Sequence, residues 1–154
     1  MPIADDGEPD LTLYGAYTSR PFRVCWMLKE LGLGFEHMPV TPGSSDAAKL
    51  GAQTPWYRAI NPNERIPALR DGGFFIWESA AINLYLVQRY GGPLRPSTPE
   101  GFGRALQWAF FMSNDVEPPM VEVRRALFKT APADRDMSAL DKAQTRFDQA
   151  LTIL

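Results

Sequence analysis

NPNERIPALRDGGFFIWESAAINLYLVQRYG, residues 61–91, decides the fold. It opens on a turn dipeptide, Asn61-Pro62, and reaches Ile66-Pro67 immediately before a short apolar run. Proline cannot donate into a sheet ladder, so Pro67 belongs at the entrance of a strand. Arg70-Asp71-Gly72-Gly73 reads as a tight hairpin turn between Ala68-Leu69 and Phe74-Phe75-Ile76-Trp77, because Asp-Gly tolerates the positive φ that such turns need. Glu78-Ser79 follows, then a helix-forming run from Ala80 to Tyr90 that Gly91-Gly92 closes. Ser79 is placed to cap that helix. A helix start also offers unpaired N–H groups and partial positive charge, which favour a bound carboxylate, so both capping and ligand binding stand as readings of Ser79.

Upstream, Leu11-Thr12-Leu13-Tyr14 alternates and suits a first strand. Residues 15–20 form a loop, and Pro21 fits the first turn of a helix that presents Val24, Met27, Leu28 and Leu31 on one face, with Gly32 just past its end. Phe35 to Val40 reads as a second strand, parallel to the first because a helix joins them. Pro42, Gly43, Gly51 and Pro55 break the next stretch into a loop with room for one short helix. The order β-α-β, irregular connection, β-β-α describes an α/β thioredoxin-like N-terminal domain over residues 10–91. Asp5, Asp6, Glu8 and Asp10 with Pro2 and Pro9 make residues 1–9 a solvated, flexible tail.

Downstream, Pro93, Pro96 and Pro99 mark a linker over residues 92–98. Thr98-Pro99-Glu100 starts a helix rich in Leu106, Trp108, Phe110, Phe111 and Met112. Pro118-Pro119 is expected to end or kink it, with Met120 to Phe128 resuming helical character. Ser138-x-x-Asp141 reads as the cap of another helix, in which Leu140, Phe147, Leu151 and Leu154 recur on one side. Residues 99–154 are therefore expected to be all-α.

With 45% hydrophobic residues the 154-residue chain can bury a real core, and its formal net charge of −2 gives no basic footprint for nucleic acid. No run approaches the ~20 apolar residues of a membrane span, and no basic and apolar signal region opens the chain. A cytoplasmic protein with neither nucleic-acid nor membrane partners is the expectation. Cys25 is the single cysteine, which rules out an internal disulfide and any Cys-pair metal site, so no metal is expected. It falls within the first helix and reads as a small buried hydrophobe. His37 sits on the second strand with no evident catalytic partner.

The Asn-Pro turn, the apolar residue before Pro67, the Asp-Gly hairpin and Glu78-Ser79-Ala80-Ala81-Ile82 opening a helix together resemble the glutathione-binding segment of the cytosolic glutathione transferase family, serine type. The resemblance implies a dimeric cytoplasmic detoxification enzyme that binds glutathione as co-substrate, stabilises its thiolate and transfers it to a hydrophobic electrophile. The alternative is a glutathione transferase-like binding or scaffolding module without turnover. Members of the family continue with further helices, whereas an apolar stripe runs here to Leu154. Residues 99–154 are thus expected to be a partial C-terminal domain, from a truncated member, a fragment, or a chain that covers the surface with a partner.

Ser19 is the positional match to the family's serine, which donates a hydrogen bond to the glutathione sulfur, with Thr18 and Tyr17 as alternates and a plain helix cap as the competing reading. An unperturbed thiol has a pKa of about 8.5, so a hydroxyl donor and a helix N-terminus both favour the reactive thiolate at neutral pH. The resemblance further implies a cis bond before Pro67, the N–H and C=O of Ile66 paired with the cysteinyl peptide unit, Ser79 on the γ-glutamyl carboxylate and Glu78 on the α-amino group. Glu64-Arg65 departs from the small, basic or neutral donors common in relatives. Glu64 would repel the glycyl carboxylate, and Arg65 would bind it bidentately, with Trp56 and Arg58 as weaker candidates. The electrophile pocket is expected between the domains, with Tyr17 and Arg20 on one wall and Trp108, Phe111, Met112 and Asp115 on the other, although helix packing accounts for most of these aromatics.

Overall fold

The computed structural model describes residues 10–154, and the expected tail, residues 1–9, lies outside the described residues. Strands β1 (Leu11–Tyr14), β2 (Glu36–Met38), β3 (Ala68–Asp71) and β4 (Phe74–Trp77) form one sheet in the order β2-β1-β3-β4. Helix α1 (Pro21–Glu30) connects β1 to β2, which run parallel; β1–β3 and β3–β4 are antiparallel. A short 3₁₀ turn (Ala47–Lys49) and α2 (Pro55–Arg58) bridge to β3, and α3 (Ser79–Tyr90) follows β4. This is the thioredoxin-like arrangement.

All of β1 is buried, although its sequence alternates. Leu11 and Leu13 pack with Val24 and Leu28 of α1, Leu69 of β3, and Ile82 and Leu86 of α3. Tyr14 belongs to a second cluster with Val40, Ala52, Tyr57, Ile66 and Ala68. A strand covered on both faces buries residues of both parities, and Thr12 meets that demand by accepting a 3.0 Å hydrogen bond from Arg70.

The hairpin is tighter than the sequence suggests. Arg70 and Asp71 are strand residues opposite Phe75 and Phe74, so the turn is Gly72-Gly73 alone, with Gly72 at φ 56°. Their own partners hold them in the strand: Arg70 grips Asp10 through two bonds of 2.8 and 3.0 Å, while Asp71 Oδ2 accepts from the hydroxyls of Tyr85 and Tyr90 at 2.7 and 2.8 Å. Asp71 thereby ties the hairpin to α3.

Residues up to Arg95 form one compact unit and Pro96–Leu154 a second. In the second, α4 (Pro99–Phe111) starts as expected, with Thr98 Oγ1 accepting from the Gly101 N–H at 3.0 Å. Pro118-Pro119 does not end the helical run. One π turn, Met112–Val116, precedes α5 (Glu117–Phe128), and the Glu117 N–H reaches back to the Met112 carbonyl. The two prolines follow that π turn in the first turn of α5, so the helical run accommodates them with a local widening and not with an end. Helix α6 (Met137–Leu151) is capped by Asp136, which accepts from the Ala139 N–H at 3.0 Å, and not by Ser138. Its buried residues are Ala143 and Ala150, with Leu140 and Phe147 half-buried beside them, while Leu151 and Leu154 are exposed. Small residues let α6 pack against α5 and the π turn, rotating the buried face away from the leucine stripe. Among the described residues, no helix is long and apolar enough to cross a membrane.

Burial, and then the bond to Asp71, pushes the Tyr85 hydroxyl up to about 12, and Tyr90 is raised for the same reasons. The fold therefore favours the protonated phenols. Their contribution is complete below the unfolded tyrosine pKa of about 10 and is lost as pH rises towards 12. Urea unfolding is expected to show stability falling between pH 10 and 12 with a shallower slope in Tyr85→Phe; identical slopes would contradict the assignment.

Candidate glutathione-binding site

Strand register gathers the candidate residues. Ala68, the first residue of β3, pairs with Tyr14 on one side and Trp77 on the other. The chain segments at that end of the sheet are therefore the loop after Tyr14, the Ile66-Pro67 dipeptide and Glu78-Ser79. The Ile66–Pro67 bond is cis. The end of β2 joins them, since the Gly15 and Ala16 N–H groups donate to the Met38 and Val40 carbonyls at 2.8 and 3.2 Å.

Gly15 fixes how closely these segments meet. At φ 127°, a Cβ there would stand 2.6 Å from Pro21 Cγ and 2.9 Å from Ile66 Cβ. Only a hydrogen fits, so the first turn of α1 and Ile66 both close onto the end of β1. That contact sets the position of the Ser19 loop relative to the Ile66 backbone.

Ser19 is exposed and does not cap α1. Arg20 holds the N-cap position, no side-chain hydrogen bond closes the helix start, and Ser19 contributes its carbonyl, which accepts from the Phe22 N–H at 3.0 Å. Among the described residues its hydroxyl makes no hydrogen bond. The neighbouring Tyr17 ring stacks on His37, with centroids 3.8 Å apart and planes 12° from parallel, and His37 Nε2 lies 2.9 Å from the Gly15 carbonyl. Sequence reasoning missed that stack, which braces the loop against β2. Burial, followed by the adjacent Cys25 thiol, pushes the Tyr17 hydroxyl up from its ordinary value. Cys25 is only partly buried, because its place on α1 lies at the margin of the core and faces the loop.

Ser79 is buried, and it too is not a cap. Glu78 occupies the N-cap position at φ 71°, without a side-chain cap bond, and Ser79 is the first residue of α3. Its N–H thus belongs to the first turn, which has no intrahelical acceptor. Arg65 is exposed, and its carbonyl accepts from Tyr57 Oη at 2.8 Å and from Asn61 Nδ2 at 2.7 Å. Glu64 is engaged by Arg58, whose Nε donates to Oε1 at 2.6 Å. The pair spans the turn at no regular spacing, so no pattern in the sequence marks it. Trp56 packs against the rings of Tyr14 and Tyr57.

In the second unit, Trp108 and Phe111 meet edge to face on α4 with centroids 5.7 Å apart, and Met112 opens the π turn. Phe111 and Asp115 line a cleft of about 230 Å³ with Arg146 and Gln149 of α6. Among the described residues, no three His, Cys, Asp or Glu side chains gather as a metal site.

Known proteins of similar sequence and fold share one family. Residues 13–94 match the family model described as Glutathione S-transferase, N-terminal domain. Glutathione S-transferase D7 of Drosophila melanogaster is 33% identical over 150 residues, covering 95% of this chain and 64% of the fly protein. Two solved structures are similar: the theta class glutathione S-transferase of Xanthomonas axonopodis pv. citri with glutathione bound (TM-score 0.80, 28% identity, 93% of this chain and 67% of that one), and a glutathione S-transferase of Pseudomonas fluorescens (TM-score 0.78, 33% identity, 93% and 69%). The sheet order and the connecting helices define a thioredoxin-like domain. This chain belongs to the glutathione S-transferase family. It spans between 47% and 64% of the length of the first curated relatives it matches.

Gly15→Ala is expected to destabilise the protein by about 2–3 kcal/mol in urea unfolding, from strained φ together with the displacement of Pro21 and Ile66. Gly72→Ala, where nothing lies within reach of a Cβ, should cost about 1 kcal/mol. Equal costs would remove the special role given to Gly15.

Proposed function

We propose that this chain binds glutathione and stabilises its thiolate for attack on a hydrophobic electrophile. The observation that carries the proposal is the convergence of Ser19, the Ile66-Pro67 backbone and Glu78-Ser79 at one end of the sheet. The glutathione bound to the Xanthomonas relative supports it.

In this reading the Ser19 hydroxyl donates to the glutathione sulfur, and the start of α1 adds partial positive charge. The thiol proton passes to solvent. The thiolate then forms a carbon–sulfur bond, while a displaced group, or the electron pair of an opened double bond, takes up the negative charge. Ser19 keeps its proton throughout. Ile66 offers N–H and C=O to the cysteinyl peptide unit as a strand edge does. Ser79 holds the γ-glutamyl carboxylate through its hydroxyl and first-turn N–H, and Glu78 meets the α-amino group. Arg65 takes the glycyl carboxylate, helped by Arg58, which neutralises Glu64. Tyr17 and Arg20, on the loop of Ser19, flank the approach of the electrophile.

The chain is proposed to act as a cytoplasmic homodimer; in the second unit Phe110 and Phe128 are 63% and 77% exposed, apolar surface that a partner copy would cover. Light scattering at micromolar concentration should then give twice the monomer mass; a monomer contradicts it.

Ser19→Ala should lower kcat/KM for conjugation by about 10- to 100-fold, the worth of one hydrogen bond to a charged group. An unchanged rate would remove Ser19 from the chemistry. Arg58→Ala should weaken glutathione binding about fivefold by freeing the Glu64 charge, and adding Glu64→Gln should restore it. A double variant as weak as Arg58→Ala would assign Arg58 a different role.

A further inference from the structure

We infer that Tyr57 and Asn61 are positioning residues for glutathione, aiming the backbone of Ile66 by clamping the Arg65 carbonyl from two sides. The inference rests on the glutathione reading above and names what that site depends on within the chain.

Tyr57 is fully buried and Asn61 is 2% exposed, yet each spends a side-chain donor on the same oxygen, at 2.8 and 2.7 Å. Two donors occupy both lone pairs of a carbonyl and fix its direction. The Arg65 C=O and the Ile66 N–H belong to one planar peptide unit, so fixing the oxygen fixes the line of the N–H on its other side. Among the described residues, that N–H donates to no other group. It is the donor proposed for the cysteinyl unit of glutathione.

Both clamping residues are themselves held. The Asn61 N–H donates to the Tyr57 carbonyl at 2.8 Å, its carbonyl accepts from the Glu64 N–H at 3.0 Å, and its Oδ1 accepts from the Asn63 N–H at 3.0 Å. The last bond orients the amide, leaving Nδ2 to face Arg65. The Tyr57 ring packs on those of Tyr14 and Trp56. A phenol is a donor at neutral pH, and burial pushes this one up from the ordinary tyrosine value. On the far side, Ile66 rests on Gly15, so the peptide unit is held from both directions.

Tyr57→Phe removes one donor and keeps the ring. Calorimetry should give a glutathione Kd raised about 5- to 10-fold, with the pKa of the bound thiol unchanged, because Ser19 sets the latter. Amide exchange at Ile66 in the free protein should quicken while amides of β1 do not. Asn61→Ser keeps an acceptor for Asn63 but loses the Nδ2 donor, and should act in the same direction. Tyr85→Phe, which loses a comparable bond at the opposite end of the sheet, should lower Tm and leave Kd unaltered. The inference is overturned if the wild-type protein binds glutathione and Tyr57→Phe binds as tightly, or if Ile66 exchange does not change. A wild-type protein that binds no glutathione would instead overturn the reading beneath it.

Discussion

The absence of a side chain at Gly15 is the constraint on which the rest of the site depends. The residue ends β1, bonds through its backbone to the chain leaving β2, and lies too close to Pro21 and Ile66 for a Cβ to fit. Helix α1 and the strand entrance at Pro67 are distant in sequence, and both close onto this point. Position is what thiolate chemistry needs from a protein: a hydroxyl and a strand-like backbone edge, held at a fixed separation, with nothing flexible between them.

At that end of the sheet the Glu64 carboxylate is engaged by Arg58, while at the opposite end Asp71 accepts from two tyrosyl hydroxyls and Asp10 pairs with Arg70. Arg65 reserves its carbonyl for the Tyr57 and Asn61 clamp, while its guanidinium lies at the surface.

The fold was legible because its signals are local. Pro21 and Pro67 mark a helix start and a strand entrance, Gly91-Gly92 ends α3, and Thr98-Pro99 starts α4, each through a backbone preference that tertiary packing does not reverse. The errors were also local, by a residue or a turn. Ser79 and Ser138 resemble caps, but Glu78 and Asp136 hold those positions, since the N-cap is decided by backbone dihedrals and not by side-chain type. Pro118-Pro119 was expected to end or kink the run; the run continues, with a π turn directly before them, and such a turn leaves no mark in composition. Of the candidate residues named from sequence, Arg65, Ile66, Pro67, Glu78 and Ser79 lie on the motif of residues 61–91, Ser19 with Tyr17 and Arg20 on the loop before α1, and Trp108, Phe111, Met112 and Asp115 in the second unit. Those missed, Gly15, Tyr57 and the Arg58–Glu64 pair, act through contacts between segments, and no spacing rule reports such contacts.

The central claim is that this chain binds glutathione as a stabilised thiolate. Calorimetric titration of the wild-type protein with glutathione, paired with ultraviolet absorbance of the bound thiolate between about pH 5 and 9, tests it most directly. Saturable binding is expected, with a thiolate that forms well below the ordinary thiol pKa of about 8.5. Binding with an unshifted thiol, or no binding at all, would contradict it.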